Sequence, residues 1–304
     1  MTRVSTFGQN DFAVNSLMKV QSSLSRVQMQ VSTELVSDSY KDIAGDTVIL
    51  KALEGDLEKS NNMVSNAETI AARVDTMYGA VGNMVDILAQ FQVTLSSAIS
   101  GETAESAALN ENAQAALDSF VSQANIQMSG RYLFGGSNTA TPPVDVSDPP
   151  YSAQTYPSVE SYDYYQGDEQ EASFYTSDND KITYGVTASQ SGFEKSIRAL
   201  SLAANATEAP VDQDALLEAY DLINDALDEL LVVQSGLSTT ASNLEREIDM
   251  ELDYQLTLDA MIGDIKNVDL AAVIAEQEQL QVLLEASYNV TVSMSKMNLF
   301  EFLS

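Results

Sequence analysis

Two groups of residues have the types and spacing that chemistry would use. Residues 130–137, G-R-Y-L-F-G-G-S, have the glycine spacing of a phosphate-cradling loop. Such a loop reads G-x-x-x-x-G-K-[ST], joins a strand to a helix and needs its lysine to reach the β- and γ-phosphates. Gly136 stands where that lysine belongs, and the segment runs on into N-T-A-T-P-P. The second group is the alternating row Glu245, Glu247, Asp249, Glu251 and Asp253, whose carboxylates could pair for acid–base work. On a helix the expected reading of this row is a solvated face. Asp178-Asn179-Asp180 begins like a calcium loop. Ile182 and Thr183 stand where Asp or Asn and then Gly should follow, so a β-turn is expected instead. Tyr162, Tyr164 and Tyr165 could stack on a sugar, but a plain β-domain core is the simpler expectation.

Composition narrows the chemistry further. The chain has no Cys, no His and no Trp among 304 residues. There is therefore no disulfide or thiolate metal site, and the commonest general base is missing. Lys and Arg number 14 against 45 Asp and Glu, a net charge of -31. That excess repels nucleic-acid phosphate and an anionic membrane surface. The sequence holds no run of 18 apolar residues, so no transmembrane span is expected. Residues 1–20 lack the apolar region of a secretory signal, so any export would use a route without a cleaved signal. No enzyme, cofactor or metal is expected. Glycoside hydrolysis, the one enzymatic alternative weighed, would need two carboxylates facing a cleft.

The elements around these residues are legible from apolar spacing. From Leu50 to Ile99, alternate steps of three and four meet apolar residues except at Ser60 and Gln92. A second row, Met63, Ile70, Met77, Met84, Phe91 and Ala98, repeats every seven residues beside it. Those methionines are core rather than metal ligands. A seam this wide fits a multi-helix bundle. The same spacing returns from Leu216 to Ile265, interrupted by Gln234, Glu251 and Gln255. Antiparallel pairing would bury both seams. An alanine-rich helix over 103–128 can join them through Leu109, Ala113, Ala116, Leu117, Phe120, Val121 and Ala124.

The chain ends form a second, smaller pair. Ala13, Leu17, Val20, Leu24, Val27 and Val31 make a stripe near the N-terminus. Near the C-terminus Val273, Leu280 and Met294 share one register, and Leu283, Val290 and Met297 a companion register. Such helices are marginal alone in water, so each needs the other or a neighbouring molecule. Residues 1–36 and 267–304 together carry a net -3, from four basic and seven acidic residues. Unpaired charge is excluded from closely packed surfaces, so the ends read as an assembly surface. Leu17, Val20, Leu24, Val27, Val31, Leu280, Leu283, Val290, Met294 and Met297 are its expected contacts.

Between 135 and 190 the helical period disappears. Pro142-Pro143, Pro149-Pro150 and seven tyrosines stand there. Residues 171–176 and 181–187 read as strands around a turn at 177–180. Helical pattern resumes at Phe193, Ile197, Leu200 and Ala204. The glycine segment therefore lacks the strand-to-helix setting of a phosphate loop. Its expected roles are a helix stop at Gly130, a plug of Tyr132, Leu133 and Phe134 in the bundle end, and an outward turn of the chain at Gly135-Gly136.

At these residues the sequence resembles a family, the flagellar hook-filament junction proteins (hook-associated protein type 3), relatives of bacterial flagellin. GRYLFGGSNTATPP, with Gly130, Arg131, Tyr132, Leu133, Phe134, Gly135 and Gly136, looks like the family signature at the exit from its rod domain. NVDLAAVIAEQEQLQVLLEASYNVTVSMSKMNLFEFLS resembles the C-terminal helix shared with flagellins. YYQGDEQEASFY and ITYGVTAS are similar to its outer β-domain. One departure is clear: after the first helix many members have S-T-G, whereas Ser32-Thr33 is followed here by Glu34.

The resemblance implies an extracellular structural subunit, exported through the flagellar channel and polymerised between hook and filament. A flagellin-type filament subunit is the alternative. It also implies partners: identical copies, a neighbouring hook-associated protein and flagellin, and a cytoplasmic export chaperone on the C-terminal helix. The expected fold is mainly α, a long antiparallel helical bundle or coiled coil built from both halves of the chain, with a small β-rich central insert. Its expected parts are an inner coiled coil (1–44 and 267–304), a rod bundle (45–134 and 191–266) and an outward insert (135–190).

Overall fold

The computed structural model describes residues 3–37, 39–40, 45–101, 106–147, 149–177, 179–206 and 212–303, with the backbone alone at 3–10, 106–107 and 294–303. It divides into two compact units, Met1–Lys59 with Tyr254–Ser304, and Ser60–Asp253.

The first unit holds both chain ends. Helices α1 (Arg3–Thr33) and α6 (Leu270–Leu303) pack against each other. They run antiparallel: Gln21 Nε2 donates to the Tyr288 hydroxyl at 2.7 Å, and Leu35 bridges Asn267 near the opposite end of the pair. The spacing of α1 explains the contact. Val20, Leu24 and Val27 are buried, and Ala13, Leu17 and Val31 are half-buried along one stripe. Asp269 starts α6 by accepting the amides of Ala271 and Ala272 at 3.0 and 3.1 Å, which satisfies donors that a helix start leaves unpaired. The same unit contains the first turns of α2 (Thr47–Ile99) and the last turns of α5 (Gln213–Lys266).

The second unit is a bundle of α2, α3 (Ser106–Ala124), α4 (Ser191–Asn205) and α5. Helices adjacent in the bundle alternate in direction. Asn83 of α2 meets Gln123 of α3, Gln92 of α2 meets Asn224 of α5, and Lys195 of α4 meets Asp225 and Glu229 of α5. The expected seams form the core: Val74, Met77, Val81, Met84, Leu88 and Leu95 from α2 face Leu216, Ile223, Leu230, Leu237 and Leu244 from α5 in one buried cluster. Leu109, Ala113, Leu117, Phe120 and Ala124 of α3 complete it, with Phe193, Ile197 and Leu200 of α4.

The region between α3 and α4 holds little regular structure. Strand β1 (Gln127–Met128) pairs with β2 (Arg131–Tyr132), and β3 (Ser173–Tyr175) with β4 (Lys181–Thr183), each antiparallel. Both predicted insert strands form, over fewer residues than their patterns mark. The segment shares the bundle core, because Val144, Tyr151, Tyr164, Phe174 and Val186 lie in the same cluster as the helices. Tyr164 is fully buried and its hydroxyl donates to the Ala188 carbonyl at 2.9 Å, so this tyrosine is core.

Three expectations need correction. Helix α3 ends at Ala124 rather than running to Met128, because residues 127 and 128 turn into β1. Gly130 therefore does not stop a helix. Glu251 is not part of a solvated face: it is 5% exposed, in contrast to Glu245, Asp249 and Asp253. The expected helix start at 103 and the turn residue Asp178 lie outside the described residues.

Candidate assembly surface

Helix α6 is apolar on more than one side, and α1 covers only one of them. Val273 is buried, and Gln277, Leu280, Leu284, Ser287 and Thr291 are half-buried toward α1. Ile274, Val282, Leu283, Tyr288, Val290 and Val292 are exposed, Val282 to 68%. A shallow, mainly apolar depression bounded by Glu278, Gln279, Val282, Leu283 and Ala286 lies on this face. On α1, Phe12 is 77% and Met18 58% exposed. Large exposed apolar side chains gathered along one helix make that helix a candidate interaction surface. Each such side chain gains about 1.5–3 kcal/mol when fully buried.

The expected contacts thus divide by position. Leu17, Val20, Leu24, Val27, Val31 and Leu280 line the seam between α1 and α6, whereas Leu283 and Val290 point away from it. The side chains of Met294 and Met297 lie outside the described residues. Sequence reading missed Ile274, Val282, Tyr288, Val292, Phe12 and Met18. Their signal was present as apolar residues off the seven-residue registers.

Where α1 ends and α5 gives way to α6, a short joint fixes the pair. Val36 N–H donates to the Lys266 carbonyl at 2.8 Å and Val268 N–H to that of Glu34 at 2.9 Å. Gln30 Nε2 reaches the Val36 carbonyl at 2.8 Å. Lys266 Nζ lies 2.6 Å from Glu54 Oε1, and the Tyr40 hydroxyl donates to Glu54 Oε2 at 3.0 Å. The Lys266 hydrogen bond holds the Glu54 carboxyl below its usual range, and Glu54 in turn raises the Lys266 ammonium.

The glycine segment has a different geometry from a nucleotide loop. Ser129 (φ 51°) and Gly130 (φ 75°) form the two-residue turn between β1 and β2, where positive φ at both positions matches the strand twist. Arg131 is exposed, Tyr132 and Leu133 are half-buried, and Phe134 is fully buried 5.5 Å from the Phe193 ring. Of the expected plug, Phe134 fills the core. Gly136 (φ 68°) follows Gly135 into a tight loop closed by Asp168. The Asp168 carboxylate accepts Ser137 N–H at 2.8 Å, Gln170 N–H at 3.0 Å and the Ser137 hydroxyl. Those bonds lower its pKa, Ser137 most of all. The chain's own carboxylate thus occupies the Ser137 donors at the end of the segment.

Elsewhere the perturbed groups are packing features. Burial pushes the Tyr151 and Tyr165 hydroxyls up to about 12. Glu194 is raised by burial while Ser161 N–H donates to it at 3.2 Å and Arg198 pairs with it at 3.1 Å. Among the described residues no cluster of His, Cys, Asp or Glu could hold a metal ion, and no helix is long and apolar enough to cross a membrane.

The chain thus combines a pair of end helices, one with an uncovered apolar side, and a helical bundle in its middle. Residues 4–139 match the model of the bacterial flagellin N-terminal helical region. No curated protein matches the sequence. Solved structures share its fold. A protein of Vibrio parahaemolyticus described as a flagellar hook-associated protein superposes with a TM-score of 0.63 at 15% identity, over 74% of this chain and 100% of that one. FlgL of Bacillus cereus gives 0.56 at 15% identity, over 71% and 99%. Flagellar hook-associated protein 3 of Legionella pneumophila gives 0.56 at 14%, over 71% and 98%. At these identities the likeness is one of fold.

Proposed function

We propose that this chain is a structural subunit of the bacterial flagellum that joins the hook to the filament. The observation that carries this reading is the apolar face of α6 around Leu283 and Val290, left uncovered by α1. In this reading neighbouring copies cover that face during polymerisation, and a hook-associated protein and flagellin abut the layer from either side. An export chaperone shields the C-terminal helix beforehand. The subunit acts outside the cell after export without a cleaved signal, and its role is assembly rather than catalysis. The flagellin-type N-terminal region is equally compatible with a filament subunit; the hook-associated structures sharing the fold favour the junction.

Deletion of the coding region followed by electron microscopy tests the assignment. The expected result is hooks without filaments and flagellin monomer shed into the medium. Filaments of normal length on the deleted strain would overturn the junction role. Absence of flagellin itself from the cells and the medium would point to the filament subunit.

A further inference from the structure

Two polar residues break the apolar seams of α2 and α5 at the same place. Ser60 and Glu251 are 4% and 5% exposed, and the Ser60 hydroxyl donates to Glu251 Oε2 at 2.6 Å. A buried carboxylate is costly unless its oxygens are hydrogen-bonded. The other oxygen, Oε1, accepts the hydroxyl of Ser177, which follows β3. The node therefore joins three elements rather than two.

The hairpin has the alternation of a covering element. Phe174 and Ile182 are paired neighbours on one face; Phe174 is buried and Ile182 packs against the core. Thr176 is buried, while Tyr175 is 56% exposed and Lys181 lies on the exposed side. Near its base the Tyr184 hydroxyl lies 3.5 Å from Arg73 Nη1 of α2, and near its tip Ser177 reaches Glu251. From Arg73 to Ser60 is about 20 Å of helix, a span that five or six extended residues match. This stretch of α2 and α5 has neither α3 nor α4 beside it: α3 meets α2 at Asn83, and α4 meets α5 at Asp225 and Glu229.

We propose that the β3–β4 hairpin is a clasp. It takes the place of the missing helices over the two-helix part of the bundle, and Glu251 is its fastening point. Ser60 and Glu251 are polar because the fastening needs a carboxylate with a second, helix-borne donor. Release of the tip exposes the α2–α5 seam locally and leaves the four-helix part closed.

Native-state hydrogen exchange on the full chain tests this. Ser177→Ala and, separately, Glu251→Leu should each speed exchange at Phe174, Thr176, Ile182 and Tyr184, whose amides lie in the hydrogen-bonded pairs of the hairpin, at least tenfold, with α3 and α4 amides unchanged. The leucine variant continues the apolar seam, so α5 amides next to position 251 should exchange no faster than in the parent while the hairpin opens. That opposite response separates a clasp from general destabilisation. Unchanged hairpin protection in both variants, or equal acceleration in α3 and α4, would overturn the proposal. Should the leucine variant fail to fold, Ser177→Ala, a change at an exposed hairpin residue, decides the matter alone by the same readout.

Discussion

Glu54 and Lys266 stand 212 residues apart in sequence and 2.6 Å apart in space. The pair joins the start of α2 to the last turn of α5, and Tyr40 closes it from the loop after α1. All three belong to the unit that contains the chain ends.

That pair makes a pH-dependent prediction. The Glu54 carboxyl is held below its ordinary value, chiefly by Lys266, so its stabilisation is present above the unfolded value of about 4.3 and is lost as pH falls through the folded one. With Glu54 and Lys266 side chains 30% and 37% exposed, solvent screening limits the pair to about 0.5–1 kcal/mol. Glu54→Gln should lower stability by that amount at pH 7 and by nothing measurable near pH 2. Denaturant titrations at both pH values check the difference, and a loss that persists at acid pH contradicts it.

Glu34 has φ 60°, in the left-handed region where a side chain is strained. It follows the last residue of α1 and donates its amide to the Gln30 carbonyl at 2.8 Å, the position where helices prefer glycine. A glycine in this place would adopt the same φ without strain. Glu34→Gly should stabilise the end unit by about 1 kcal/mol, seen as a higher denaturation midpoint of the helical signal. A lower midpoint would show that the carboxylate has an overriding contact.

Leu283→Asp and Val290→Asp place a charge on the exposed face of α6. Polymerisation should fail, by sedimentation and by electron microscopy, while circular dichroism of the monomer stays helical. Full motility in both variants counts against that face as the assembly surface. Leu280→Asp, in the half-buried seam, should instead also weaken the pairing of α1 with α6 in the monomer.

Phe134 is fully buried and contacts the Phe193 ring. Phe134→Ala should cost about 3–5 kcal/mol and lower the thermal midpoint of the bundle. A change under about 1 kcal/mol would mean that the core closes over the gap.

Seven-residue spacing makes α2 and α5 legible in the sequence, because a long helix must repeat its apolar contacts at every turn. The α1 stripe was legible for the same reason. The end of α3 was not: Gln127 and Met128 have ordinary helical propensity, and their strand pairing depends on a turn at Ser129 and Gly130. Glu251 was misread because a heptad count records a polar exception without its partners, and Ser177 lies 74 residues away. The surface around Leu283 was found only in part. Spacing shows that α6 has apolar registers, but which one α1 covers depends on the rotation of one helix against the other.

The pairing of α1 with α6 has a consequence for the life of the polypeptide. The bond between Gln21 and Tyr288 spans 267 residues, so nearly the whole chain must be available before it can close. Contacts between residues so far apart in sequence form slowly, although the entropy of closure rises only slowly with length. A molecule that lacks α6 leaves the stripe of α1 without its mate. Cleavage anywhere ahead of α6 therefore weakens a pairing on which both helices depend.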